Sequence, residues 1–145
     1  MPDAGPKGRT LGSERGDVFR PRIVISEPRG ADELPIASLL DPEVYDVVWC
    51  NEDEDVLEQV IQQRPHALVF ALGHEFHKDL ALLFLLRRVA PAVPLILVAA
   101  TASLETQKTI QELRPTYYVV RPVDGGELLQ AITDAIARQA RRPAG

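Results

Sequence analysis

The sequence lacks the features of a secreted or membrane-spanning chain. Cys50 is the only cysteine, so no disulfide can form within the chain, and a reducing compartment is expected. No apolar run approaches the roughly 20 residues of a membrane-spanning helix. Residues 1–20 contain no apolar signal region. We therefore expect a soluble, cytoplasmic protein.

Features of nucleotide and nucleic-acid binding are equally scarce. The formal net charge of −5 does not favour nucleic acid as a partner. Neither GxGxxG nor GxxxxGK[ST] occurs, so no phosphate-binding loop is predicted. No persuasive Ser/His/Asp set is present either. We expect a protein that is not an enzyme and that has no cofactor, small-molecule substrate or membrane partner.

The chain is long enough for one domain, at 145 residues. Residues 1–21 contain four glycines and three prolines, and such a segment cannot bury enough apolar surface to offset its ordering entropy. We predict a flexible leader over 1–21, a single domain over 22–141 and a frayed tail over 142–145.

Within the domain, short apolar runs alternate with helical patterns. The runs are almost continuously apolar, as strands of a parallel sheet buried on both faces should be. They occupy residues 23–25, 45–50, 67–72, 95–98 and 117–120. The helical patterns cover residues 31–40, 51–64, 78–89, 104–113 and the stretch from 124 onwards. Five such units predict a doubly wound α/β fold, with a five-stranded parallel sheet in the order 2-1-3-4-5 and functional groups at the carboxyl ends of its strands.

The helical patterns also predict caps and buried faces. Asn51 and Asp124 each begin a capping box, completed by Glu54 and Glu127, and Thr101 or Ser103 is the expected cap of the fourth helix. The first helix is the weakest, because Pro35 is tolerated only in a first turn. The predicted apolar stripe of the second helix is Val56, Val60 and Ile61.

Four stretches resemble the CheY-like receiver domains of bacterial response regulators. Residues 64–71 (RPHALVFA) look like the family's third strand, which ends in the phosphorylated aspartate, and residues 94–100 (PLILVAA) look like its fourth. Residues 118–122 (YVVRP) are similar to its fifth strand and the Lys-Pro that follows. Residues 124–132 (DGGELLQAI) resemble the start of its last helix. The resemblance implies a receiver fold and a place in two-component phosphorelay signalling.

The resemblance also implies that the phosphorylation chemistry is lost. The acceptor position falls on Ala71, no aspartate occurs in residues 67–78, and the position of the phosphate-binding hydroxyl falls on Ala99. The family's lysine is replaced by Arg121. The chain therefore resembles a degenerate pseudo-receiver without the acceptor aspartate.

The family's acid pair after the first strand is reduced to Ser26 and Glu27. One carboxylate is a poor Mg²⁺ site without an acceptor oxygen, so no metal is expected. Glu27 and Arg121 either form a standing ion pair or both point into water. The predicted degenerate site consists of Ser26, Glu27, Ala71, Ala99 and Arg121.

A receiver of this kind is expected to act as a phosphorylation-independent docking module, with an unidentified signalling protein or a second copy of itself as partner. Residues 80–86 (LALLFLL) are apolar all round, unlike an ordinary surface helix. At 100° per residue, Leu82, Leu86 and Val89 should face the sheet, and Leu80 and Phe84 should point outward. This predicts an interface unless the leader or the second helix covers it. The predicted interface consists of Leu80, Phe84, Arg87, Arg88 and Tyr118. Tyr118 matches the family's switch aromatic, and the alternative is that it is simply a half-buried tyrosine of the fifth strand.

A metal-binding or redox-sensing domain is the alternative. His74 and His77 lie after the third strand, and Glu27 and Cys50 end the neighbouring strands. Four such ligands could hold Zn²⁺ if they converge. Against this, loop histidines are usually solvated, and a lone cysteine is more often a small buried hydrophobe.

Overall fold

The computed structural model describes residues 19–27, 35–73, 75–100 and 104–141. The predicted tail over 142–145 and most of the predicted leader, residues 1–18, lie outside the described residues. The same holds for His74 and for the candidate cap residues Thr101 and Ser103.

Five parallel strands form one sheet in the order β2-β1-β3-β4-β5, which confirms the predicted fold class. The register places Val24 beside Val48 and Leu68, and Val69 beside Ile96. β1, β3 and β4 are central, and their almost continuous apolar sequence follows from burial on both faces. The strands are β1 (Arg22–Ser26), β2 (Asp46–Cys50), β3 (Ala67–Ala71), β4 (Leu95–Ala99) and β5 (Tyr117–Val120).

Four α-helices and one 3₁₀ turn (Ile36–Leu39) cover the sheet in the described part of the chain. The helices are α1 (Asp53–Gln63), α2 (Phe76–Val89), α3 (Leu104–Leu113) and α4 (Gly125–Arg141). The prediction of a helix over 31–40 is wrong for its described part, which is the 3₁₀ turn. Pro35, just before the turn, has extended backbone with ψ 141°.

Two apolar cores lie on opposite faces of the sheet. On one face, α1, α2 and α3 pack against alternate strand residues such as Val24, Leu68 and Phe70. On the other face, α4 and the 3₁₀ turn pack against Ile25 and Val69. Because successive strand residues point to opposite faces, neighbouring positions in each strand belong to different cores.

Two details of α1 differ from the predictions. Glu52, not Asn51, is the residue before the first helical turn, and it makes no side-chain capping bond. Ile61 is 48% exposed, whereas Val56 and Val60 are buried as predicted. Leu57 packs on the core in place of Ile61.

Helix ends follow local chemistry elsewhere in the chain. α1 ends at Arg64, which has a left-handed φ of 46°, and α3 is followed by Arg114 with φ 51°. A proline follows each arginine and prevents the helix from continuing. At the start of α4, Gly126 N donates to Asp124 Oδ1 at 3.0 Å, the bond expected of the predicted cap. No helix among the described residues is long and apolar enough to cross a membrane.

Candidate functional site at the carboxyl edge of the sheet

The predicted site residues all lie at one edge of the sheet. Ser26, Ala71 and Ala99 are the last residues of β1, β3 and β4, and Glu27 and Arg121 directly follow β1 and β5. Parallel strands in this order bring their carboxyl ends to the same edge. The geometry at this edge decides between the two alternatives for Glu27 and Arg121.

Glu27 is a buried carboxylate with fixed partners. Its side chain is 2% exposed, and Ile36 N donates to both of its oxygens, at 2.8 and 3.1 Å. Its own backbone N donates to Cys50 O at 3.0 Å. Glu27 therefore joins the end of β1 to the 3₁₀ turn, and the alternative in which it points into water is wrong.

Arg121 reaches Glu27 from the far side of the sheet. Its Nη2 lies 3.7 Å from Glu27 Oε2, and its side chain is 17% exposed. β3 and β4 lie between β1 and β5. At a spacing of about 4.8 Å between neighbouring strands, the two side chains together bridge about 14 Å between the backbones of β1 and β5. The predicted ion pair is present, and it crosses the carboxyl ends of β3 and β4.

Ala71 and Ala99 end the two strands that this ion pair crosses. They are 3% and 2% exposed. Neither has a side chain beyond a methyl group, so neither blocks the path of the arginine or offers it a polar partner. An alanine methyl is neither a phosphoryl acceptor nor a hydrogen-bond donor.

A cleft of about 530 Å³ opens at the same edge, beside Ser26, Phe70 and Ala71. We call it the acidic cleft. It lies where the N-terminal ends of α1 and α2 meet the sheet. Among the residues that the structure describes, five carboxylates and one ammonium group line it, from Glu52, Asp53, Glu54, Glu75, Asp79 and Lys78. Glu54 belongs to a predicted capping box, and none of these charged residues belongs to the predicted degenerate site.

Lys78 is the cation of the acidic cleft. Its Nζ lies 3.8 Å from both Asp53 Oδ2 and Glu75 Oε1, and its side chain is 61% exposed. Exposed pairs at this distance contribute little to stability. Lys78 thus links α1 to α2 weakly and leaves the cleft with an excess of negative charge.

Asp79 is the most perturbed carboxylate of the acidic cleft. Burial raises its pKa, and the nearby charges of Asp53 and Glu75 raise it further, while the hydrogen bond from Gly73 N and the charge of Lys78 oppose the rise. The bond from Gly73 N to Asp79 Oδ2 is 2.7 Å long. The cleft is therefore a place where added negative charge is unfavourable and a cation is favourable.

The predicted interface on α2 needs a correction. Leu80 does not point outward; it is 9% exposed and belongs to the core beside α1. Val89 does not face the sheet and is 48% exposed. α2 lies between α1 and α3 on the same face of the sheet. The buried part of its surface is therefore wide enough to include both Leu82 and Leu80.

Phe84 is exposed as predicted, at 38%, and Leu85 joins it at 43%. With Ala81, Arg88 and Val89, these residues form a solvent-facing surface, which we call the outer face of α2. Arg87 is not part of it. Its guanidinium donates to Val93 O at 2.8 Å and to Arg114 O at 3.5 Å, tying the end of α2 to two loops.

Tyr118 is a half-buried residue of β5 that packs against the core. Burial raises the pKa of its hydroxyl. It lies on the same sheet as Ala99, whose neighbour across the register is Val120.

The proposed metal quartet cannot be assembled from the described residues. His74 lies outside them, and among the residues that the structure does describe, no three His, Cys, Asp or Glu side chains are grouped to hold a metal ion. Glu27 is engaged by Ile36 N. Cys50 is buried, and burial, with a smaller effect of Asp55, raises the pKa of its thiol, which disfavours the thiolate that binds metals.

Comparison with known proteins identifies the fold. The sequence matches no protein-family model and no curated protein. The structure is similar to a CheY-like response regulator receiver domain from Methanospirillum hungatei JF-1, with a TM-score of 0.74, 21% identity and coverage of 85% of this chain and 98% of that one.

Two further solved structures give the same result. The signal receiver domain of an HD domain-containing protein from Pseudomonas fluorescens Pf-5 has a TM-score of 0.74, with 21% identity over 86% of this chain and 100% of that one. A response regulator from Thermotoga maritima has a TM-score of 0.71, with 13% identity over 82% and 99% of the two chains. The chain therefore has the receiver fold.

Proposed function

We propose that this chain is a receiver-like domain of two-component signalling that is not phosphorylated and that acts through protein–protein contacts. The ion pair between Glu27 and Arg121 carries the proposal. In a receiver, the charged groups at this edge are the acceptor carboxylate and the metal ion bound beside it. Here two side chains of opposite sign already neutralise each other across Ala71 and Ala99. The domain needs no phosphoryl group to hold this edge in one conformation.

Reaction with acetyl phosphate tests the first half of the proposal. We expect the intact mass of the protein to be unchanged after incubation with acetyl phosphate and Mg²⁺, under conditions in which a receiver with its acceptor aspartate gains one phosphoryl group. A stoichiometric, base-labile adduct would overturn the proposal. Peptide mapping would then identify the carboxylate, with Glu75 and Asp79 at the acidic cleft as the first candidates.

The outer face of α2 supports the second half. Phe84, Leu85 and Val89 are each at least 38% exposed and adjacent on one helix, and clustered large apolar groups on a surface are typical of interfaces. The partner is another signalling protein or a second copy of the chain, in the cytoplasm, and the domain itself performs no enzymatic step.

Association measured by sedimentation velocity separates the two partners. If the partner is a second copy, the wild type should dimerise with rising concentration, and Leu85→Glu and Phe84→Glu should remain monomeric and folded. Val44→Glu is the matched control, since Val44 is 49% exposed but lies in the turn before β2. A wild type that stays monomeric directs the search to a different signalling protein. Dimers unaffected by both α2 variants would contradict the assignment of this surface.

A further inference from the structure

The acidic cleft contains a buried hydroxyl group with no partner. Ser26 lines the cleft and is 8% exposed, and among the described residues its Oγ makes no hydrogen bond. A buried hydroxyl without a partner is unfavourable. Such a group on the wall of a cleft indicates a hydrogen bond to a molecule that enters the cleft.

The charges around Ser26 show what kind of group that is. Among the described residues that line the cleft, Lys78 is the one cation beside five carboxylates. Asp79 uses Oδ2 to accept from Gly73 N, and no hydrogen bond to its Oδ1 is found in the described part of the chain. Acceptors therefore outnumber donors among the described residues of the cleft, which favours a ligand that is a donor with positive charge.

A metal ion does not fit this arrangement. Among the described residues, no three ligating side chains are close enough to share one ion. The carboxylates are spread over the walls of a cleft of about 530 Å³, within the range of about 300–1,000 Å³ typical of sites for organic ligands. The ligand must therefore carry several donors spaced apart from one another.

We propose that the acidic cleft receives an arginine side chain of the partner protein, with the guanidinium between Ser26 and Asp79. This inference rests on the proposed function, because it names the chemistry of the partner. A guanidinium carries five N–H donors in a fixed plane, which suits carboxylates and a hydroxyl on different walls. Its flat face is weakly hydrated and packs on apolar groups, here Phe70 and Ala71. The arginine thus stands beside the position where a receiver carries its acceptor carboxylate.

Titration of the ¹⁵N-labelled full chain with short peptides tests the inference. The probe is blocked Gly-Arg-Gly at low ionic strength, where surface charge is least screened. The control peptide has citrulline in place of arginine, which keeps the shape and removes the charge. We expect saturable shifts of the amides of Ser26 and Gly73, and binding of the citrulline peptide at least about tenfold weaker, as loss of a charge-assisted bond implies.

Variants locate the site. Ser26→Ala and Asp79→Asn should each weaken binding of the arginine peptide about tenfold. Lys78→Gln should strengthen it, because a competing cation is removed. The matched control is Glu112→Gln, which removes the same charge from an exposed position on α3, outside the cleft. Lys78 is exposed, so its variant keeps the test valid if Ser26→Ala folds poorly.

Several results would overturn the inference. Equal weakening by Glu112→Gln and Asp79→Asn would show general charge attraction rather than a site. If the citrulline peptide binds as tightly as the arginine peptide, or if the amide shifts do not saturate, a guanidinium is excluded as the ligand. Binding of agmatine more tightly than the peptide would point to a small molecule instead of a protein. The reaction with acetyl phosphate distinguishes failure of this inference from failure of the proposed function. If the mass is unchanged and no peptide binds, the proposal of an unphosphorylated interaction module stands and only the arginine site is rejected.

Discussion

Glu27 joins three parts of the chain that are far apart in sequence. It directly follows β1, accepts a hydrogen bond from the backbone N of Ile36, and pairs with Arg121 beyond β5. A carboxylate that is 2% exposed is stable only because these partners replace water. The residue thus holds the carboxyl edge of the sheet together.

Substitution of Glu27 should therefore be costly. We expect Glu27→Ala to lower the free energy of unfolding by about 3 kcal/mol, in the range for breaking a buried charge pair. Glu27→Gln, which keeps one acceptor oxygen for Ile36 N, should cost about half as much. Urea denaturation measures both, and hydrogen exchange of the Ile36 amide should accelerate in each variant. Unchanged exchange in Glu27→Gln would show that the ion pair does not hold this edge.

The charge of Asp79 should destabilise the domain at neutral pH. Its pKa is higher in the folded protein than the ordinary value of 3.8, chiefly because of burial. The folded state therefore holds this proton more tightly than the unfolded state does. No penalty exists below the unfolded pKa, and the penalty develops as the pH rises through the folded pKa.

We accordingly expect Asp79→Asn to raise the free energy of unfolding at pH 7 by less than about 1 kcal/mol, since the group is partly solvated. The difference from the wild type should shrink as the pH is lowered towards 4. Urea denaturation across this pH range measures it, with Glu112→Gln as the control for net charge. A variant less stable than the wild type at pH 7 would mean that the bond to Gly73 outweighs the repulsion.

At the scale of elements, the sequence predicted which segments are helices better than which way they face. The strands and α3 agree with the predictions because β-rich runs and proline stops are local signals. The faces of α1 and α2 do not, as Ile61 and Leu80 show. α2 carries apolar residues around much of its circumference, and Ile61 lies at one border of the apolar side of α1. The side that is buried is therefore decided by the neighbouring helices, which the sequence pattern does not contain.

The orientation of α2 can be tested with two leucines. Leu83 is completely buried, and Leu85 is 43% exposed. We expect Leu83→Ala to lower the free energy of unfolding by about 2–5 kcal/mol and Leu85→Ala to change it by no more than about 0.5 kcal/mol. Thermal or urea denaturation measures both. Similar costs for the two variants would mean that α2 is rotated from the orientation described.

The candidate site, too, could be predicted only in part from the sequence. Glu27, Ala71 and Arg121 were predictable because strand ends in a parallel sheet share an edge. The acidic cleft was not, because Asp53 and Asp79 come from the starts of two helices, where acids are explained equally well by the helix dipole. Only the packing of α1 beside α2 brings them together around Ser26.

At the scale of the whole molecule, the sheet divides the interior into two cores, and α4 closes the second one. Leu128, Ala131 and Ile132 of α4 are at most 3% exposed and pack on residues of the central strands. Loss of this contact would expose Ile25, Val69 and Ile96 together. The stability of the domain therefore depends on a helix that contributes none of the site residues identified at the carboxyl edge.

A pair of adjacent substitutions tests this dependence. Ile132→Asp places a charge in the second core, where an unpaired carboxylate is very unfavourable, and we expect no folded protein. Thr133→Asp, at the neighbouring exposed position, should fold normally. Circular dichroism and yield in the soluble fraction measure the outcome. A folded Ile132→Asp protein would mean that the second core is not essential.

The position of α4 in the chain has a consequence for synthesis on the ribosome. All five strands are translated before the helix that covers one face of their sheet, and a domain is exposed to aggregation while such a face is open. While α4 is being translated and is still in the exit tunnel, the core residues that it will cover are exposed, unless the sheet forms only after α4 has emerged. These residues are Ile23, Ile25, Val69, Ile96 and Val98. A chaperone that holds nascent chains should therefore engage this protein once β5 has emerged, and release it once α4 has docked.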